Sequence, residues 1–245
     1  MVKYKKWNPL KFGIFTGFII YFIDSIVWFN LPAGNSYLAG TFIREYSIGG
    51  VYMPRPLGDY FWVKFGADFM MTFSYSMFAF GWMWIMFENF FKKNLKEVLL
   101  FTLIYFIFWM LIPLLSRTIP LNDTLVDTVR YMDTQMIAWW VNLIIGYLFL
   151  SLIYGTKKIG SKEPKIILYV FIIGCVGAFF MELPLLIFGI RPSGVLFLLY
   201  DVLLMLNQGT PYLYVLYDKI LPWFFAKLRK KSPKQIDNIE IELPV

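Results

Sequence analysis

Apolar residues fall in long blocks separated by short polar segments. Six blocks run approximately from Phe12 to Leu31, Phe65 to Phe87, Val98 to Leu115, Met136 to Tyr154, Ile166 to Ile190 and Val195 to Phe225. About 20 apolar residues in a helix rising about 1.5 Å each cross the roughly 30 Å hydrocarbon layer of a bilayer. The pattern therefore predicts an all-α, polytopic membrane protein with six transmembrane helices in one bundle. No soluble domain fits between the blocks, so residues 1–232 read as a single transmembrane domain and residues 233–245 as a polar cytoplasmic tail. The first block follows Lys3, Lys5, Lys6 and Lys11, as a signal peptide would. Its apolar run is too long and Asn30 to Gly34 is a poor cleavage site, so it reads as a retained helix.

Two irregularities bear on packing. The last block is longer than a bilayer needs and contains Asn207-Gln208-Gly209-Thr210-Pro211. A break is expected there, because a helical Pro211 would leave the Asn207 carbonyl without its donor. Pro184 stands in the same relation to Phe180, two residues from Glu182. The segment from Leu31 to Lys64 is long and rich in Gly, Pro and aromatics, the composition of an ordered lid. Between the third and fourth blocks, Asn122-Asp123-Thr124 matches a glycosylation acceptor pattern, and Asp123 and Asp127 make a single D-x-x-x-D spacing.

Composition agrees with the block pattern: 59% of residues are hydrophobic and 16% charged, against roughly 25% charged in soluble domains. Histidine is absent and Cys175 is the one cysteine, which excludes histidine-ligated haem or zinc, Ser-His-Asp catalysis and an intramolecular disulfide. No cofactor and no metal site is expected. Of the 23 lysines and arginines, 17 lie at the N-terminus, in the second and fourth connections and at the C-terminal end, and 6 lie in the other connections. Positive connections stay cytoplasmic, so both termini are expected inside. The net charge of +7 is then a topology signal, and no nucleic-acid partner is needed to explain it.

Acids inside the spans are costly and mark candidate functional positions. Asp24, Glu182 and Asp201 lie about 9–12 Å below the outer ends of their helices by residue count, and Asp68 lies a few residues inside the second helix. Asp218, beside Lys219, reads as interfacial. Lys64 precedes Asp68 by four residues and can pair with it on one helical face. The other acids are expected to be protonated, or paired with Arg44, Arg55, Arg130 or Arg191 from the outer connections. Helical spacing puts Tyr21, Asp24 and Trp28 on one face with Gly17, Asp68, Thr72, Tyr75, Ala79 and Trp82 on another, and Asp201 in line with Gln208.

The expectation is an outer-half pocket lined by carboxylates and aromatics. Asp24, Glu182 and Asp201 are its candidate catalytic residues, and Tyr21, Trp28, Asp68, Tyr75, Asn207 and Gln208 are candidates for substrate binding. A desolvated acid can protonate an alkene or epoxide, and aromatic faces stabilise the resulting cation. This chemistry suits a cofactor-independent isomerase or cyclase acting on an isoprenoid or other lipid. Two alternatives use the same residues. An accessory subunit of a larger membrane complex would use them as contacts to protein partners, and a small cation- or proton-coupled transporter would use them as a relay. The segment Met205 to Tyr214 resembles the last helix of the fungal-type membrane-bound terpene cyclases, small polytopic enzymes that use intramembrane acids. The likeness covers about one helix. Asn207 stands where that family has an aspartate and the second helix has no Trp-Glu pair, so none of the family's catalytic residues carries over.

Overall fold

The computed structural model describes residues 7–32, 42–118, 126–130, 132–156, 163–190 and 194–231. The chain begins with α1 (Trp7–Phe22), whose Pro9 sits in the first turn, where a missing amide donor costs nothing. The helix continues directly into a wide-turn π segment, π1 (Ile23–Trp28). A hairpin, β1 (Arg44–Ile48) and β2 (Val51–Tyr52), and a 3-10 turn (Gly58–Tyr60) lead to α2 (Phe61–Asp68), π2 (Phe69–Phe73) and α3 (Ser74–Phe90). Then come α4 (Leu95–Thr118), β3 (Val126–Arg130), α5 (Met132–Tyr154) and α6 (Lys165–Ile187). The last stretch is segmented into α7 (Gly194–Tyr200), π3 (Asp201–Met205), α8 (Thr210–Val215), π4 (Leu216–Ile220) and α9 (Leu221–Lys231).

Among the described residues, four helical stretches are long and apolar enough to cross a membrane: Trp7–Trp28, Leu95–Leu115, Gln135–Tyr154 and Lys165–Ile187. The second and sixth apolar blocks are also helical, but in pieces. The second runs through α2, π2 and α3 and begins at Phe61. The last leaves the helical path over residues 206–209. The break falls where Asn207 to Pro211 predicts it, but its form differs. Pro211 lies in the first turn of α8 and obstructs nothing, because that turn has no intrahelical donors to lose. Pro113 and Pro184, by contrast, lie inside α4 and α6, which run on past them.

Helix α3 is the centre of the bundle. It packs along α1 and also touches α4 and α6. Its Phe80, Trp82, Met83, Met86 and Phe87 share one core with Tyr105 and Trp109 of α4, Val170 and Ile173 of α6, and Tyr214 and Val215 of α8. Large apolar side chains such as Leu99, Ile137, Leu148 and Leu196 point outward, as lipid-facing positions do.

The sequence pattern did not predict the small antiparallel sheet, of strand order β2-β1-β3, that caps one end of this helical bundle. Gly49 and Gly50 have φ of 58° and 78°, the left-handed pair that a two-residue hairpin turn requires. In β1, Arg44, Tyr46 and Ile48 are buried and alternate with half-buried Glu45 and Ser47, so one face of the strand lies on the helices. β1 pairs with β3 from Arg44 opposite Arg130 to Ile48 opposite Val126.

Candidate functional site

Beneath the sheet, the alternation of β1 delivers two side chains to the helix ends. Arg44 reaches Asp24 in π1, and the two form an ion pair with side chains 7% and 15% exposed. Thr72 of π2 donates a hydrogen bond of 2.9 Å to the other Asp24 oxygen. The Arg44 guanidinium also lies 5.6 Å from the centre of the Trp28 ring. Tyr46 covers Lys64, which is completely buried and ion-paired with Asp68 one turn along. The Lys64 ammonium donates to the Ser25 carbonyl at 2.6 Å. Aromatic rings surround it, with Phe29 at 4.4 Å, Tyr46 at 5.0 Å and Phe65 at 5.7 Å. Arg55 lies 3.8 Å above Phe29, donates to the Phe29 carbonyl at 2.9 Å and also bonds the Arg44 carbonyl. Tyr21 donates to the Phe65 carbonyl at 3.1 Å and packs edge-on against Phe65 and Phe69.

This assembly brings Tyr21, Asp24, Trp28 and Asp68 together, and it pairs both acids with cations. Taking an ion out of water costs several kcal/mol even after relaxation, and here a partner charge, a carbonyl and aromatic faces offset that cost. The network is a latch between the sheet and the ends of α1 and α2. Sequence reasoning anticipated the Lys64–Asp68 pair and named Arg44 among several partners for Asp24. It did not find the cage, and it placed Thr72 in line with Asp68 without its hydrogen bond to Asp24. The alternation Arg44-x-Tyr46-x-Ile48 was the available signal, since it is the pattern of a strand with one face covered.

Glu182 of α6 and Asp201, the first residue of π3, are 3% and 1% exposed. The two elements pack on each other, and the direction of the chain puts both acids in the half of the bundle nearer the sheet. Each takes part in polar or electrostatic interactions. Glu182 is close enough to Tyr105 of α4 to act on it electrostatically. Tyr105 donates to the Gly177 carbonyl at 3.3 Å and stacks on Trp82 at 4.7 Å. Tyr75 packs edge-on against Trp109 at 4.9 Å on the same aromatic surface. Asp24 belongs to a different face of the bundle. α1 packs on α3, and α3 in turn on α6, with no substantial contact between α1 or π1 and α6 or π3 among the described residues.

Nearer mid-bundle, Asn207 is fully buried, while Gln208 is only half-buried. Asp201, Leu204, Asn207 and Thr210 are the buried positions, three residues apart, and Gly209 donates to the Leu206 carbonyl across a tight turn, so Asn207 takes the inward position that straight helical spacing assigns to Gln208. Its side-chain oxygen accepts from Tyr147 at 2.9 Å and its amide donates to the Cys175 sulfur at 3.2 Å. The approach is so close that a Cβ on Gly174 would lie 2.0 Å from the Asn207 oxygen, so only glycine fits there.

Each of the four π segments carries an aspartate or adjoins one: Asp24 in π1, Asp68 just before π2, Asp201 opening π3 and Asp218 in π4. Such segments are rare and recur at functional sites, because the extra residue in the turn re-aims a side chain. The described residues hold no group of three or more potential metal ligands. Asn122 to Thr124 and Asp123 lie outside the described residues, as do the side chains of Arg117, Arg130 and Asp133 and all of Arg191. No family model, curated protein or solved structure matches the chain.

Proposed function

We propose that this is a six-span membrane protein with both termini cytoplasmic and the sheet outside. Glu182 and Asp201 form its acid–base centre, which acts without a cofactor on a hydrophobic isoprenoid or other lipid substrate. The observation that carries this reading is the placement of the two carboxylates, both almost fully buried, on packed elements with Asp201 at the mouth of a π segment. One acid would protonate an alkene carbon and the other would take a proton from the neighbouring carbon, giving an isomer with no net redox change. Tyr75, half-buried and held edge-on against Trp109, supplies the aromatic face for the intermediate cation. Asp24, paired with Arg44 on another face of the bundle, is assigned to the latch and takes no part in the proton transfers.

The test is lipid profiling of cells expressing the protein or its Glu182→Gln and Asp201→Asn variants. A product that falls by about 10²–10⁴ in either folded variant is the expected result, the usual contribution of a positioned acid or base. An unchanged lipid profile with folded protein sinks the enzyme reading.

A second reading is supported by the polar groups spaced along the last stretch: Asp201, then Asn207 with Tyr147, then Asp218 with Tyr154. They suit a proton or cation relay. Proton flux in liposomes that depends on Asp201 and Asn207 would favour that reading over catalysis.

A further inference from the structure

At the end of the bundle away from the sheet lies a cavity of about 250 Å³, bordered by α3, α5, α6, α8 and π4. Its floor is aromatic. Phe87 meets Tyr214 edge-on at 5.1 Å, Phe91 lies 5.5 Å from Tyr214, and Tyr154 and Tyr217 lie 5.4 and 6.1 Å from the same ring. Among the described residues, Glu88, Glu163 and Asp218 stand around it with Lys92 and Lys219, three carboxylates to two cations. The volume falls below that of pockets for drug-sized molecules, roughly 300–1,000 Å³, and suits a single small group.

The chain already shows which group this surface accepts. The Lys219 ammonium sits 5.4 Å from the centre of the Tyr154 ring and 2.9 Å from an Asp218 oxygen. Tyr154 donates its hydroxyl proton to Asp218 at 2.5 Å, which fixes both the ring and the carboxylate. The lysine side chain is half exposed, so a ligand can displace it into solvent, whereas the tyrosine and aspartate are held by their mutual hydrogen bond. A ring face backed by an oriented carboxylate is the arrangement that binds alkylammonium groups, by cation–π attraction and charge together.

We propose that this cavity is a binding site for an organic ammonium group, and that Lys219 occupies its mouth as an internal stand-in until the ligand displaces it. The half-buried rings of Phe91 and Tyr217 take the alkyl substituents of the cation, the Tyr154 ring face that Lys219 vacates receives it, and Asp218 takes its charge. The same chemistry is offered by a choline or ethanolamine lipid headgroup and by a free amine. The site stands apart from Glu182 and Asp201, so its fate does not depend on the acid–base reading.

The experiment uses the full chain in nanodiscs of phosphatidylglycerol, titrated calorimetrically with choline. In parallel, native mass spectrometry records the lipids retained from mixed phosphatidylcholine and phosphatidylglycerol. Saturable choline binding identifies a free-amine site, and preferential retention of phosphatidylcholine identifies a headgroup site. In either case Asp218→Asn and Tyr217→Leu should weaken binding at least tenfold. Lys219→Met, which removes the internal competitor from an exposed position, should strengthen it severalfold. The proposal is overturned if neither choline nor phosphatidylcholine is bound, or if binding is indifferent to Asp218→Asn. It is also overturned if Lys219→Met leaves the affinity unchanged, an outcome readable even where Tyr217→Leu does not fold.

Discussion

Lys64 shows how one residue can be both costly and necessary. Its ammonium has no access to water and depends on Asp68, the Ser25 carbonyl and three ring faces. Removing one partner of such a pair leaves a bare charge, which costs about 3–5 kcal/mol, whereas removing both together is close to neutral. Lys64→Met and Asp68→Leu should therefore each lower the unfolding temperature of the detergent-solubilised protein sharply, and the double variant should recover most of the loss. If the double variant is as unstable as the sum of the singles, the pair is not the energetic unit described here. The pair itself was legible in the sequence, because Lys64 and Asp68 are four residues apart where a helix begins. The cage was not, since Phe29 and Tyr46 reach Lys64 from elements far away in the chain. Asn207 marks the same boundary: the break at Asn207 to Pro211 could be read from the sequence, but the inward register of Asn207 against Gln208 depends on the tight turn at residues 206–209, which no periodicity announces.

At the scale of elements, the π segments and the sheet are where local pattern and structure part. Hydropathy alone locates α1, α4, α5 and α6, because an uninterrupted apolar run has no other solution in a bilayer. It also locates the second and last blocks, but not their division by π2, π3 and π4. The strands were hidden because they are short: β1 and β2 lie in a connection rich in Gly and Pro, and β3 in a polar one that carries Asp123, Asp127 and Asp133. Arg44 ties the two kinds of element together through Asp24. Arg44→Met should therefore loosen the sheet without unravelling the bundle. In hydrogen exchange, the amides of β1 and β3 are expected to lose protection by at least tenfold while those of α3 and α6 keep theirs. Equal protection in both proteins would mean that backbone pairing alone holds the sheet in place.

For the whole molecule, the distribution of basic residues predicts which end of the bundle faces which side. With Cys175→Ser as background, a single cysteine at Ser47 should react with an impermeant maleimide from outside intact cells. One at Thr156 should react only after the membrane is opened, and the reverse pattern would invert the topology. The sheet has a consequence for how the molecule is made. β1 and β3 are neighbours in space, yet all of α2, α3 and α4 lies between them in the chain. Once they pair, that segment is a closed ring fastened by five residue pairs. During synthesis the hairpin emerges first and must wait, its outer edge bare, until α4 has passed into the membrane and β3 follows. Synthesis thus sets an order: α2 to α4 before the clasp, and α5 onward after it. A chain halted before Val126 would leave the ring open and the core around α3 without α6 and α8.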